Sequence, residues 1–241
     1  MTDESEGQTE DWIEKFEAEY AYAYYSGSDL PSFAKVSGIP SAILIDPNGK
    51  VVWKGHPSSL NGRTIEAHLE GSLPVPLYDF PKEAASVKKA ILKDDLEKAL
   101  TEAKEIEAEG VELSAEIRAA VEAMISSRVE QVKAAFARGD YLTVEVDGET
   151  LVGALGDLPE SAEIADFLEQ IKNNSAMKDV IKAQRKIAEI RDDMEDMRKA
   201  IEADRAIGKL RKLLEDIEGT YAETQARELM DQLDKLRLTL R

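Results

Sequence analysis

The chain has 241 residues, 43% of them hydrophobic and 33% charged, which suits one or two domains with a real core and argues against wholesale disorder. Its formal net charge of −18 disfavours binding to nucleic-acid phosphates and to anionic membrane surfaces. The absence of cysteine excludes disulfides, thiol catalysis and zinc–thiolate sites, and no apolar run approaches the about 20 residues of a membrane span.

The N-terminal residues are acidic and polar, so we expect no secretory signal peptide, and the compartment is not indicated. Thr9 is predicted to cap a first amphipathic helix. Tyrosine and alanine alternate in residues 20–24, which predicts a short strand, and residues 29–36 are predicted to form a short helix with proline in its first turn.

The most informative stretch is residues 38–57, in which two β-branched apolar segments, 41–45 and 50–54, flank a turn. The turn is Asp46-Pro47-Asn48-Gly49, where proline presets φ and asparagine or glycine accepts positive φ. The pattern predicts a β-hairpin, and a helix is predicted to follow over residues 60–69.

This stretch resembles the second half of a thioredoxin-like domain of the redoxin or TlpA-type disulfide reductase family. The resemblance is carried by the Gly38-Ile39-Pro40 step into a strand, the Ile-Asp-x-x-Gly turn and the Gly55-His56-Pro57 step. It spans roughly residues 1–72 and implies an incomplete thioredoxin-like α/β module, because the family's Cys-x-x-Cys half is missing. It also implies that Pro40 is a cis proline and that Ile39 and Pro40 form a substrate- or partner-binding site.

In that family, the segment at Thr2-Asp3-Glu4-Ser5 would be the loop after the second strand. We therefore expect a truncated or split gene product or a coding sequence with a late start, with the cysteine half encoded upstream or carried by another chain. The histidines His56 and His68 have no metal-ligand spacing, and His56 is interpreted as a capping or loop-packing residue. The sequence predicts no metal site, cofactor or catalytic residue.

Residues 73–82 are rich in proline and are predicted to be a linker between a first module, 1–72, and a helical domain, 83–241. Apolar residues then recur at spacings of three and four, which predicts antiparallel helical hairpins. The expected elements are two helices of about 25 residues separated by Gly110, a helix with a capped start at Asp157-Leu158-Pro159-Glu160 that runs to Asn173-Asn174, a long one over 175–218 and a last one after Thr220.

Three local features of the helical part have more specific interpretations. Residues 141–156 have strand propensity, with Asp147-Gly148 as a possible hairpin turn, but their helical surroundings favour helix or irregular structure. Ser175 is expected to cap one helix, and Thr220 with Glu223 to form a capping box. The Gly-Thr-x5-Ala-x6-Leu pattern at residues 219–233 resembles the terminal helix of tetratricopeptide-like extensions.

Together these features predict an α+β chain: an incomplete thioredoxin-like module followed by an all-α antiparallel helical bundle or a short tetratricopeptide-like array. The leading functional hypothesis is a non-catalytic interaction or scaffold protein, with a protein partner or a second copy of itself, no nucleic acid and no membrane insertion. The alternative is a subunit or fragment of a TlpA-type thiol-disulfide oxidoreductase whose cysteine motif lies elsewhere.

Overall fold

The computed structural model describes residues 6–16, 41–47, 51–69, 72–194 and 197–240. The chain divides into two compact units, Met1–Ser72 and Leu73–Arg241. Most of the described residues are helical, and within them there is a single sheet of two strands. This confirms the prediction of an α+β chain with a helical bundle.

The two strands predicted for the β-hairpin pair in the first unit, and residues 48–50 of the predicted turn lie outside the described residues. Strand β1 (Ala42–Ile45) pairs antiparallel with strand β2 (Val51–Gly55), with Ala42 opposite Gly55 and Leu44 opposite Trp53. The register shifts between Leu44 and Ile45, which indicates a bulge or irregularity there. The Ile39-Pro40 step that should lead into β1, the predicted strand at 20–24 and the predicted helix at 29–36 lie outside the described residues.

Two helices of the first unit differ from their predicted bounds. Helix α1 (Glu6–Phe16) begins three residues before Thr9, so the prediction that Thr9 is its N-cap was wrong. Helix α2 (Gly62–Glu66) is shorter than the predicted 60–69, because Asn61 is its N-cap and the side-chain Oδ1 of Asn61 accepts a 3.1 Å hydrogen bond from the Thr64 N–H.

The second unit consists of helices joined by short turns. Residues 73–82 cross its surface, where Leu73, Val75 and Leu77 pack against the core and Phe80 is buried. The helices are α3 (Ala85–Ile91), α4 (Leu96–Ala108), α5 (Ser114–Arg138), α6 (Tyr141–Leu155), α7 (Pro159–Asn173), α8 (Ser175–Met194), α9 (Ala200–Leu214) and α10 (Tyr221–Thr239).

The predicted 25-residue helix before Gly110 is in fact two helices, α3 and α4. The chain breaks at residues 92–95, where Asp94 adopts a φ of 56°, and the Asp95 side chain caps α4 by accepting a 3.1 Å bond from the Lys98 N–H. Arg128 of α5 forms a bidentate ion pair with Asp94. This ion pair links the turn between α3 and α4 to α5, across a sequence separation of 34 residues. The second predicted helix is α5, and it ends at Gly139 as expected.

Residues 141–155 form a helix despite their strand propensity. Val144 and Leu151 are fully buried on one side of α6, so burial on a helical face overrides the local preference of the β-branched residues. Gly148 is not at a hairpin turn. It lies where α6 packs on α7, and a Cβ at that position would stand 3.4 Å from side-chain atoms of Ile164 and Leu168.

The predicted long helix over 175–218 is also two helices, α8 and α9. Its apolar stripe shifts phase by one residue, and the break before Ala200 lets Ile190 of α8 and Ile207 of α9 enter the same core. The cap of α8 is Asn174 rather than Ser175, because the Asn174 Oδ1 accepts hydrogen bonds from the Ala176 and Met177 N–H groups.

The capping box predicted for Thr220 and Glu223 at α10 does not form, because the Thr220 N–H donates to the Ile217 carbonyl and not to Glu223. The Glu223 carboxylate accepts a 2.8 Å hydrogen bond from the Gly219 N–H, but the Thr220 hydroxyl donates to the Ile217 carbonyl instead of capping the helix. Glu202 has the corresponding role at α9, where its carboxylate accepts hydrogen bonds from the Arg198 and Lys199 N–H groups. Carboxylates at these helix N-termini also interact favourably with the helix dipole.

These two carboxylates predict a specific acid sensitivity. The Arg198 and Lys199 N–H groups lower the pKa of Glu202, and the Gly219 N–H followed by Arg227 lowers the pKa of Glu223. A carboxylate whose pKa is lower in the folded state than in the unfolded state stabilises the fold when it is ionised. This stabilisation is present at pH values above the unfolded-state pKa, about 4.3 for glutamate, and is lost as the pH falls through the folded-state pKa. We expect wild-type stability to fall between about pH 5 and pH 3, as measured by urea unfolding.

The variant Glu202→Gln/Glu223→Gln is expected to be less stable at neutral pH and to show a shallower acid dependence. The matched control is Glu228→Gln on the exposed side of α10, which should keep the wild-type pH profile. If the unfolding free energy of the double variant falls with decreasing pH as steeply as that of wild type, other groups cause the acid sensitivity.

The core of the second unit comprises two hydrophobic clusters. The first is built from α3 to α7 together with the start of α8 and includes the fully buried Leu96, Ile117 and Ile164. The second is formed by the rest of α8 with α9 and α10 and includes Leu210, Leu229 and Leu233. Helix α8 therefore belongs to both clusters and connects them.

Candidate functional site

The site predicted from the family resemblance, Ile39 and Pro40, lies outside the described residues and stays a prediction. His56 is described and has a local structural role. Its Nδ1 accepts a hydrogen bond from the Ser58 N–H at 3.2 Å and is 2.8 Å from the Ser58 hydroxyl, while its carbonyl accepts from the Ser59 hydroxyl at 2.7 Å. The interpretation of His56 as a capping residue is confirmed, since it caps the 3₁₀ turn Pro57–Ser59.

The described parts of the chain hold no group of three or more histidine, aspartate or glutamate side chains arranged to bind a metal ion. Across the same residues, no helix combines the length and the apolarity needed to cross a bilayer.

A buried polar junction joins the two hydrophobic clusters around Gln184 of α8. The Gln184 side chain is 2% exposed. Its Oε1 accepts from the Leu142 N–H at 2.9 Å, and its Nε2 donates to the Gly139 carbonyl at 3.2 Å and to the Gln225 Oε1 at 3.1 Å. One amide thus satisfies backbone groups at the end of α5 and at the start of α6, and it also contacts α10.

Asp140 extends this junction toward the surface. Its carboxylate is 3.4 Å from the Gln184 Nε2 and accepts a 2.8 Å bond from Arg138, whose guanidinium lies 5.4 Å from the ring centroid of Tyr221. These contacts join the end of α5, the start of α6, α8 and α10, and we assign to the junction the role of fixing the arrangement of these four helices.

The helical unit has a cleft of about 480 Å³ over α5, bounded by α4 on one side and by the start of α7 on the other. Its floor is apolar and is formed by Leu100, Ile125 and Val129, which are largely buried. Its rim is charged. We call it the α4–α5–α7 cleft, and it is lined by Leu100, Lys104, Glu122, Ile125, Ser126, Val129, Glu130, Lys133, Leu158, Pro159, Glu160 and Glu163.

The rim of the α4–α5–α7 cleft is acidic, with four glutamates against two lysines. The Lys133 ammonium lies 3.2 Å from the Glu130 carboxylate and 3.4 Å from the Glu163 carboxylate, and so bridges α5 and α7. The hydrogen bond to Glu130, followed by that to Glu163, raises the pKa of Lys133 above its usual value. Of the other two rim carboxylates, Glu122 accepts a 2.7 Å hydrogen bond from Arg118, and Glu160 is exposed to solvent. Lys104 is the second lysine of the rim.

This arrangement suits binding rather than catalysis. An apolar floor provides contact area for hydrophobic side chains, and rim carboxylates provide partners for basic ones. The sequence alone does not predict this cleft. Its residues come from two helices and a helix start separated by up to about 60 positions, and only the Leu158-Pro159 turn, which starts α7, marks one of its walls in the sequence.

The comparisons with known proteins supply no relative, because no family model, no curated protein and no solved structure matches the chain.

Proposed function

We propose that this chain is a non-catalytic interaction scaffold whose helical unit binds a basic, amphipathic segment of a partner protein. The α4–α5–α7 cleft carries this proposal, because it combines a volume of about 480 Å³, a floor of Leu100, Ile125 and Val129, and a net acidic rim. An amphipathic helix that lays apolar anchors at helical spacing into such a groove is a common mode of peptide recognition.

The charge of the whole chain supports a basic partner. A net charge of −18 repels other acidic proteins at long range and attracts basic segments, which raises the rate of productive encounter. At the start of α7, Glu160 is exposed and Glu163 shares the Lys133 ammonium with Glu130, so both can contact lysine or arginine side chains of the bound segment. Association that depends on such exposed charges weakens as salt rises.

For residues 1–72 we propose a cysteine-free remnant of a thioredoxin-like module that serves as a docking surface. The antiparallel pairing of β1 and β2 supports this proposal. The alternative, a subunit of a TlpA-type oxidoreductase, requires cysteines on another chain. An insulin-reduction assay with and without a cysteine-bearing candidate partner distinguishes the two, since only the alternative predicts activity that depends on both chains.

The cleft proposal predicts that charge reversal at the rim weakens peptide binding. The probe is a fluorescein-labelled synthetic peptide of leucine and lysine, about three helical turns long and amphipathic as a helix. We expect the variant Glu160→Lys/Glu163→Lys to bind it about tenfold more weakly than wild type in an anisotropy titration at physiological salt, because two favourable rim interactions become repulsive.

The matched control is Glu228→Lys/Asp231→Lys, which makes the same change in net charge on the exposed side of α10. This variant should bind the peptide with near wild-type affinity, and a scrambled peptide of the same composition should bind all three proteins weakly. Equal losses in the two variants would mean that the peptide responds to net charge alone, which contradicts the cleft as the site.

A further inference from the structure

The second hydrophobic cluster has an open seam between α8 and α9. Helix α10 packs extensively on α9 and also on α8, whereas α8 and α9 touch each other at only a few positions. Along the seam lie two hollows of about 300 and 340 Å³, which share Ile190, Asp193 and Lys209. We call this seam the α8–α9 groove.

The α8–α9 groove differs in charge from the rest of the chain. Its apolar base includes Ile190 and Ala206, and Met197 and Leu213 are half-buried at its walls. Its charged residues balance, with four basic and four acidic side chains: Lys186, Arg205, Lys209 and Lys212 against Glu189, Asp193, Glu202 and Asp216. The whole chain, by contrast, carries a net charge of −18.

Gly208 lets another helix approach the backbone of α9 closely beside the groove. Gly208 lies between Arg205 and Lys212 on one side of α9, at spacings of three and four residues, and a Cβ there would meet no atom within 4 Å. A glycine inside a helix costs up to about 1 kcal/mol relative to alanine, and among the described residues no contact accounts for Gly208.

We propose that a second copy of this chain occupies the α8–α9 groove, so that α8 and α9 of the two copies form a four-helix interface. Copies of an acidic chain repel each other over most of their surface, and this balanced surface is one through which they can approach. A two-fold interface uses the same surface patch on both copies, so that residue i of one copy contacts residue j of the other and the reverse. Basic residues of one groove can therefore face acidic residues of the other groove. Helices α8 and α9, of 20 and 15 residues, provide about 30 and 22 Å of length for this contact.

This inference is independent of the cleft proposal, because it uses different helices and a different occupant. It is tested with the full chain by sedimentation equilibrium. We expect wild type to dimerise at micromolar concentration. The variant Lys209→Glu/Lys212→Glu should dimerise at least tenfold more weakly, since it makes the groove acidic in both copies. The control Lys172→Glu/Lys178→Glu has the same net charge outside the groove and should stay close to wild type.

A complementary pair of variants makes the test specific. Glu189→Lys/Asp193→Lys makes the groove basic and should also weaken self-association, but a mixture with Lys209→Glu/Lys212→Glu should restore a one-to-one dimer. Circular dichroism of each variant verifies that it is folded. A wild-type chain that stays monomeric up to about 100 µM, which would favour a different protein helix as occupant, or a dimer insensitive to the groove variants, would overturn the proposal.

Discussion

Replacing Gln184 with leucine is expected to destabilise the protein by about 3 kcal/mol. The substitution keeps the volume of the side chain but removes hydrogen bonds to the Leu142 N–H, the Gly139 carbonyl and Gln225 at a site that is 2% exposed. Each buried partner left without a hydrogen bond costs about 1–3 kcal/mol. Urea unfolding followed by circular dichroism measures the loss.

The control is Gln170→Leu, which removes the exposed hydrogen bond from the Gln170 amide to Asp166 on α7 and should change stability by no more than about 0.5 kcal/mol. A second variant, Gln184→Glu, places a buried carboxylate beside Asp140, whose Oδ1 is 3.4 Å from the Gln184 Nε2. Burial and the neighbouring carboxylate should raise the pKa of the new group in the folded state.

A raised folded-state pKa means that the Gln184→Glu variant is most similar to wild type in stability at low pH and loses stability as the pH rises through that value. Its deficit relative to wild type should therefore shrink as the pH is lowered toward about 4. A deficit that is the same at all pH values, or a small effect of Gln184→Leu, would mean that the junction is hydrated and does not fix the helices.

The second large effect is expected at Gly156, which ends α6. Its φ of 52° and ψ of −122° form a backbone conformation that side chains disfavour, and a Cβ there would lie 2.0 Å from the Glu97 Oε2 and 2.9 Å from the Glu97 Cδ. We expect Gly156→Ala to cost about 2–3 kcal/mol in the free energy of unfolding.

Gly153→Ala, on the same helix, is the matched control. A Cβ at Gly153 meets no atom within 4 Å, so the substitution should stabilise α6 by up to about 1 kcal/mol. The double variant Gly156→Ala/Glu97→Ala separates the two causes at Gly156, because it relieves the contact but not the backbone conformation. If Gly156→Ala proves as harmless as Gly153→Ala, the turn between α6 and α7 can adopt a different conformation.

The sequence predicted the elements whose determinants are local. The hairpin of β1 and β2 follows from two β-branched segments around Asp46 and Pro47, and the end of α5 follows from Gly139, which adopts a φ of 84°. The break between α3 and α4 was missed, because Asp94 is held by Arg128, a partner 34 residues away. The break between α8 and α9 was visible only as a phase shift in the apolar stripe.

The candidate site was less predictable than the fold. The α4–α5–α7 cleft exists because α4 and α7 both pack beside α5, and nothing local to Leu100, Glu130 or Glu163 indicates that they line one cavity. Gln184 lies in an otherwise ordinary amphipathic helix, and its partners become apparent only once α5, α6 and α10 surround it. Ile39 and Pro40 remain predictions that rest on a family resemblance.

The central claim is that the helical unit recognises a basic, amphipathic segment in the α4–α5–α7 cleft. The most direct measurement is an NMR titration of the isotope-labelled full chain with the leucine–lysine peptide. We expect saturable shifts of backbone amides that line the cleft, including Lys104, Ser126 and Glu163, with little change along α10. Shifts spread evenly over the acidic surface, or confined to helices outside the cleft, would contradict the claim.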